Sequence, residues 1–246
     1  MQNRIALITG GIGDIGTATC RELSKLGVKV IAADHVPKEQ GAEWCAQQKT
    51  AGFAFEYVKF EINSFDSCAQ AAEDLLKHFG TVDILVNAAG TINDAVLRKM
   101  TKQQWDDVVH TDLDSMFNVT RQFINSMIEH KYGRIINVSS VNGEKGQFGQ
   151  TNYSSAKSGV YGFTKSLAQE VAKYGITVNT ISPGYVDSKM VHSISQPVLD
   201  KILAEIPVGR LAKPEEIAWA IAFLASERSG FITGSNLAIN GGIHMY

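Results

Sequence analysis

Six short apolar runs recur along this chain, each followed by a longer stretch of mixed polarity, and that alternation leaves few folds open. The runs are RIALIT (4–9), KVIAAD (29–34), FAFEYVKF (53–60), DILVNAA (83–89), RIINVSS (134–140) and ITVNTIS (176–182), with a weaker NLAIN (236–240). Nearly continuous apolar runs of this length are expected of strands covered on both faces. Helices are expected between them over 14–26, 37–50, 65–79, 101–130, 152–173 and 214–226, the long 101–130 stretch dividing in two around HTDLD. Thr101 followed by Gln104, and Pro214-Glu215-Glu216, read as helix starts. Gly27, Gly80, Gly133 and Gly175 stand at helix-to-strand transitions, where a positive φ is useful. Such a βα alternation predicts an α/β fold, a doubly wound parallel sheet of about seven strands in three layers.

No linker divides the 246 residues, so 1–246 is expected to form one domain. The least regular section, 183–213, predicts one or two short helices in a substrate flap around 187–205. Twenty-three basic against 25 acidic side chains give a net charge of −2, which offers no nucleic-acid footprint and no polybasic membrane surface. Cys20, Cys45 and Cys68 are scattered, odd in number and without metal-ligand spacing, which suits a reducing compartment. The N-terminus lacks a signal-peptide pattern, and no stretch reaches the roughly 20 apolar residues that span a bilayer. The expected location is cytoplasmic.

After the first strand comes TGGIGDIG (9–16). Gly10 and Gly16 can flank a turn into a helix, Gly13 permits close backbone approach, and free helix N–H groups then face a pyrophosphate. The GKS of a triphosphate-binding loop is absent. The second strand ends at Asp34, whose carboxylate can accept hydrogen bonds from the ribose hydroxyls of an adenine dinucleotide. The same charge repels a 2′-phosphate and favours NAD over NADP; His35 and Lys38 are the nearby groups that could offset it. NAAG (87–90) ends the fourth strand, where an open parallel sheet has its ligand crevice. Asn87 either closes a backbone hydrogen bond or walls that crevice.

Ser139 and Ser140 end the fifth strand, and Tyr153 and Lys157 open the next helix four residues apart, on one face, with Thr151 or Asn152 as cap. Reducing a carbonyl requires hydride at carbon, a proton at oxygen and stabilisation of the developing alkoxide. A phenol of ordinary pKa near 10 is a sluggish acid–base group, and a neighbouring ammonium favours its phenolate. Lys157 can also reach a ribose, while the Ser140 hydroxyl holds the substrate oxygen.

These motifs, with Pro183-Gly184 after the sixth strand, resemble the short-chain dehydrogenase/reductase family over the full length. The resemblance implies a Rossmann-like fold and NAD(P)-dependent catalysis. The run SSVNGEKGQFGQTNYSSAKSG and the ending NGGIHMY are more narrowly similar to the acetoacetyl-CoA reductases of polyhydroxybutyrate synthesis, which are related to 3-oxoacyl-carrier-protein reductases. It implies reduction of acetoacetyl-CoA to the (R)-3-hydroxy thioester, with Ser140 orienting substrate, Tyr153 donating the proton and Lys157 anchoring the ribose. Gly10, Ile12, Gly13, Asp14, Ile15, Gly16, Glu61, Ile62, Asn87, Ala88, Ala89, Gly90, Pro183, Gly184 and Val186 would line the coenzyme. Asp94, Lys99, Gln147, Phe148, Gln150 and Tyr185 would approach the acyl group or pantetheine arm, although Gln147, Phe148 and Gln150 also read as a surface loop. A homotetramer built on the 101–130 and 152–173 helices is implied as well.

Two departures stand out. Where the family places an Asn that holds a water near the lysine, this chain has Asp112, whose charge would support the Lys157 cation while opposing the Tyr153 phenolate. The resemblance favours NADPH, yet Gln40 and Gly41 stand where related sequences carry basic residues, and Asp34 favours NADH. The competing expectations are a 3-oxoacyl-carrier-protein reductase, with Arg98, Lys99 and Lys102 in a patch for an acidic carrier, and a coenzyme-binding regulatory protein without turnover.

Overall fold

The apolar runs assemble into one sheet. The computed structural model describes residues 1–192 and 196–245, apart from the side chain of Met190. Its strands are β1 (Ile5–Thr9), β2 (Lys29–Asp34), β3 (Glu56–Lys59), β4 (Ile84–Asn87), β5 (Gly133–Val138), β6 (Ile176–Pro183) and β7 (Asn236–Ile239). They lie in the order β3-β2-β1-β4-β5-β6-β7, and every pairing is parallel. The order reverses between β1 and β4, which opens a crevice at their carboxyl ends, where Rossmann-type sheets bind ligands.

The helices are α1 (Asp14–Lys25), α2 (Lys38–Thr50), α3 (Phe65–Phe79), α4 (Lys102–Val109), α5 (Ser115–His130), α6 (Val141–Lys145), α7 (Thr151–Val171), α8 (Lys189–His192), α9 (Gln196–Glu205) and α10 (Pro214–Ala225). Strand alternation explains why the runs are apolar throughout. Ala6 and Ile8 of β1 join Leu23 of α1 and Ile217 and Ile221 of α10 in one core. Leu7, between them, faces the other core with Leu75 of α3, Phe123 of α5 and Val171 of α7. Each fully buried side chain of this size contributes about 1.5–3 kcal/mol.

Three local expectations are corrected. β3 is shorter than 53–60 because Phe53 stacks on Phe55 at 5.8 Å and Phe55 on Trp44 at 5.4 Å, so both aromatics pack against α2 instead of extending the ladder. Gly133 is no helix terminator. It opens β5 at a point where a Cβ would lie 2.8 Å from the Met127 sulfur, and the left-handed residue after α5 is Lys131, φ 52°. The 101–130 stretch divides into α4 and α5 at HTDLD as expected, and the joint is a π-helical turn over His110–Asp114. Neither Thr151 nor Asn152 caps α7; Gln150 is the capping position, and the Asn152 amide instead donates to the carbonyls of Asn93 and Gln104, each at 3.0 Å. Thr101 and Gln104 do form a capping box at α4. Residues 193–195 of the expected flap and Tyr246 of the closing NGGIHMY run lie outside the described residues.

Candidate active site

The glycine turn packs tightly between β1 and α1. Gly10 has φ +64°, and a Cβ there would sit 2.9 Å from the Ala89 Cα. A Cβ on Gly16 would lie 2.1 Å from the Gly10 carbonyl oxygen, so only glycine brings α1 this close to the turn. Gly13 caps α1 without a side chain, which leaves the first-turn N–H groups uncovered by any side-chain acceptor. Asp14 turns away: its Oδ2 accepts from the Lys189 amide of α8 at 2.8 Å, tying the turn to the flap. Thr9 Oγ1 accepts from the amides of Ala88 and Ala89 at 3.1 and 3.3 Å and folds NAAG across the strand end.

Other residues expected at the coenzyme are spread around this cradle. Asp34 ends β2, its Oδ1 accepting from the His35 amide at 2.9 Å with the His35 imidazole alongside. Asn87 is buried below the crevice, donating to Asn137 Oδ1 at 2.8 Å and Thr120 Oγ1 at 3.1 Å. That is neither of the two roles expected of it. Glu61 is exposed and paired with Lys59 at 3.1 Å, while Ile62 packs on the core and its carbonyl accepts from Asn118 at 2.9 Å. Ile12 is half-buried against the first core.

Beyond the cradle lies a cavity of about 380 Å³. Ile15, Ala88, Gly90, Pro183, Gly184 and Val186 line one side, and Ser140, Tyr153 and Lys157 meet at its floor. Ser140 caps α6, its Oγ accepting from the Asn142 amide at 3.1 Å. With that lone pair engaged, its O–H can donate either to the Tyr153 phenol oxygen it faces or to a carbonyl oxygen in the cavity. Lys157 spends two of its three N–H donors on the protein, one to the Val138 carbonyl at 3.1 Å and one towards Asp112 Oδ2 at 3.2 Å. Asp112 is fully buried on the π-helical turn, and its other oxygen accepts from the Thr91 amide at 2.8 Å. Such turns concentrate at functional sites.

The electrostatics follow from this packing. Burial pushes the Tyr153 phenol above its ordinary pKa; Lys157 and the Ser140 hydrogen bond oppose the rise, and Asp112 adds to it. Burial works against the Lys157 ammonium, yet Asp112 and Tyr153 outweigh it and hold its pKa above the usual lysine value. Burial likewise raises the Asp112 carboxyl, against the pull of Lys157 and the Thr91 N–H. The ion pair thus keeps a fixed positive charge whose nitrogen lies 5.6 Å from the tyrosine ring centre.

Gln147, Phe148, Gln150, Tyr185 and Asp94 line the mouth of the cavity. Phe148 is 87% exposed, and Gln147 is held outside by Lys145 at 2.9 Å. Gln150 is buried, bridging Asn142 and Asp94 at 2.9 Å each. Lys99 stands exposed on the short turn Leu97–Lys99, away from the cavity lining. Several contributors were absent from the sequence expectations. Ser139 anchors the Lys157 carbonyl at 2.8 Å, and Tyr161 bonds the Ser140 carbonyl at 3.1 Å. Thr91 fixes Asp112, and Asn142 adjoins Ser140. The clue to Thr91 and Asn142 was adjacency, one just after NAAG and the other two residues past the serine.

Residues 4–198 match the sequence pattern of the short-chain dehydrogenases. The chain belongs to that family. It is 52% identical to the acetoacetyl-CoA reductase of Cupriavidus necator, over 100% of both chains. It is 49% identical to that of Allochromatium vinosum over 99% of both, and 41% identical to the 3-oxoacyl-[acyl-carrier-protein] reductase of Haemophilus influenzae over 100% of both.

As a short-chain dehydrogenase the chain is an NAD(P)-dependent oxidoreductase, and the cradle fits that coenzyme, since the α1 N-terminus at Gly13 has no side-chain cap and leaves its first-turn amides for a pyrophosphate. The α1 amides and Asp34 would hold it, together with the remaining N–H of Lys157. When bound, the nicotinamide supplies the hydride. The arrangement allows the protein's own side chains to handle the proton: Ser140 can donate to a carbonyl oxygen, Tyr153 can give that oxygen its proton, and Lys157 can stabilise the phenolate left behind.

Proposed function

We propose that this dehydrogenase reduces acetoacetyl-CoA to (R)-3-hydroxybutyryl-CoA with NAD(P)H. The observation that carries this is one cavity shared by Ser140, Tyr153 and Lys157 with Gln147, Phe148, Gln150 and Tyr185, a size and polarity suited to a short 3-oxoacyl thioester. Relatives named acetoacetyl-CoA reductase, at 49–52% identity over nearly the whole chain, support it. The (R) configuration is carried from the family resemblance. Asp34 favours NADH and the resemblance favours NADPH, and both belong to the proposal.

A carrier-protein thioester is the second reading, favoured by the Haemophilus relative, with Arg98 and Lys99 exposed on the Leu97–Lys99 turn as basic surface for an acidic carrier. The active form is proposed to be a homotetramer in the cytoplasm, formed from one domain. Exposed Phe117 on α5, stacked on Phe65 at 5.9 Å, supplies apolar surface for such an interface. Among the described residues, no helix is long and apolar enough to cross a membrane.

The test is a kinetic grid of acetoacetyl-CoA and an acetoacetyl-carrier protein, each with NADH and NADPH. The expected result is kcat/KM at least about tenfold higher for the CoA thioester, a difference of about 1.4 kcal/mol. Turnover confined to the carrier thioester overturns the CoA assignment, and no turnover in any cell overturns the reaction.

A further inference from the structure

Asn142 is 7% exposed, lines the cavity two residues beyond Ser140, and its Oδ1 has no hydrogen-bond partner among the described residues. Its neighbours dictate which way the amide points. The Asp94 carboxylate can only accept, so Gln150 turns Nε2 towards it at 2.9 Å. That leaves Gln150 Oε1 for Asn142, which donates through Nδ2 at 2.9 Å. The Tyr185 hydroxyl faces the same amide. One charged residue at the mouth therefore fixes two amides, and the last atom in the relay is an unpaired acceptor. A buried acceptor without a partner is costly, so the position suits a ligand that brings a donor.

A 3-oxoacyl group brings none. Its two carbonyl oxygens accept, and Ser140 and Tyr153 supply the donors for the reacting one. In a thioester such as CoA the N–H donors nearest the acyl group are the amides of the arm. We propose that Asn142 is a specificity-determining residue whose Oδ1 accepts a hydrogen bond from an amide N–H of the thioester arm, in an orientation set by Asp94 through Gln150. This rests on the thioester reading above.

The test uses the acetoacetyl thioester of N-acetylcysteamine and its N-methylated analogue, which differ in that one N–H. The parent is expected to favour the N–H compound about tenfold in kcat/KM, mostly through KM. Asn142→Ala should bring the ratio to near one, through KM more than through kcat. Asp94→Asn should do the same with Asn142 intact, because a neutral amide lets Gln150 and Asn142 turn over and present Nδ2 to the cavity. Equal use of both compounds by the parent, or a ratio kept in Asn142→Ala, overturns the proposal. A ratio lost in Asn142→Ala but kept in Asp94→Asn overturns the orienting relay. Should Asn142→Ala fail to fold, the parent's own ratio decides the contact and Asp94→Asn decides the relay. A parent inactive on both compounds and on acetoacetyl-CoA overturns the thioester reading, and the contact with it; a parent active on both at equal efficiency overturns only the contact.

Discussion

Replacing Asp112 by Asn removes one charge from the centre of the site and keeps the shape. The side chain can still accept from the Thr91 amide, and Lys157 keeps its bond to the Val138 carbonyl. What changes is the field on Tyr153, whose pKa Asp112 raises. The carboxylate lies 3.2 Å from the Lys157 nitrogen, which is 5.6 Å from the ring centre. Those separations place it within about 9 Å of the ring, where two charges at an effective dielectric of about 20 interact by about 2 kcal/mol. As long as Lys157 stays an ammonium without the carboxylate that offsets its burial, the loss falls on the phenolate, and the Tyr153 pKa should drop by about one unit. The sign is testable in both directions of reaction. Ketone reduction needs the tyrosine proton, so its alkaline limb should move about one unit lower. Alcohol oxidation needs the phenolate, so its rising limb should move lower by the same amount and, below that limb, run up to about tenfold faster. The assay is kcat/KM against pH for acetoacetyl-CoA and for the 3-hydroxy product, with thermal unfolding of both proteins in parallel. Superimposable profiles, or a shift to higher pH, would refute the reasoning.

Two further outcomes follow from the coenzyme cradle. Asp34→Ala should raise the NADPH/NADH ratio of kcat/KM by at least about tenfold, because it removes a like charge facing the 2′-phosphate; an unchanged ratio shows that Asp34 does not face the ribose. Gly16→Ala forces a Cβ against the Gly10 carbonyl at 2.1 Å, so either coenzyme should bind at least about tenfold more weakly by fluorescence titration, with stability lowered by about 1–3 kcal/mol. Parent-like coenzyme affinity in that variant would show that the turn can shift without harm.

Much of the fold was legible because two physical signals agreed. The apolar runs are strands buried on both faces, and Gly10, Gly16 and Thr101 stand where turn and cap chemistry demand them. Ser140, Tyr153 and Lys157 were legible by type and spacing. What escaped depended on contacts distant in sequence. The role of Gly133 is set by Met127 and Ile176 rather than by its own φ. Asn87 looked like a crevice residue but is pulled below it by Asn137 and Thr120. Gln150 was expected at the substrate, with a surface loop as the alternative, and its amide is buried between Asn142 and Asp94. No local pattern announces the direction of an amide, because a carboxylate 56 residues away sets it.

The π-helical turn at His110–Asp114 also governs how one long rod serves two neighbours. A turn that holds one extra residue rotates everything after it by about 100° relative to a continuous α-helix. α4 packs on α7, which carries Tyr153 and Lys157, while α5 packs on α3 across the second core. Helix phase and the inward aim of Asp112 are thus set by chain length between Val109 and Ser115, independently of side-chain identity. A residue deleted there would leave every flanking side chain in place in the sequence and turn the wrong face of the rod to the lysine.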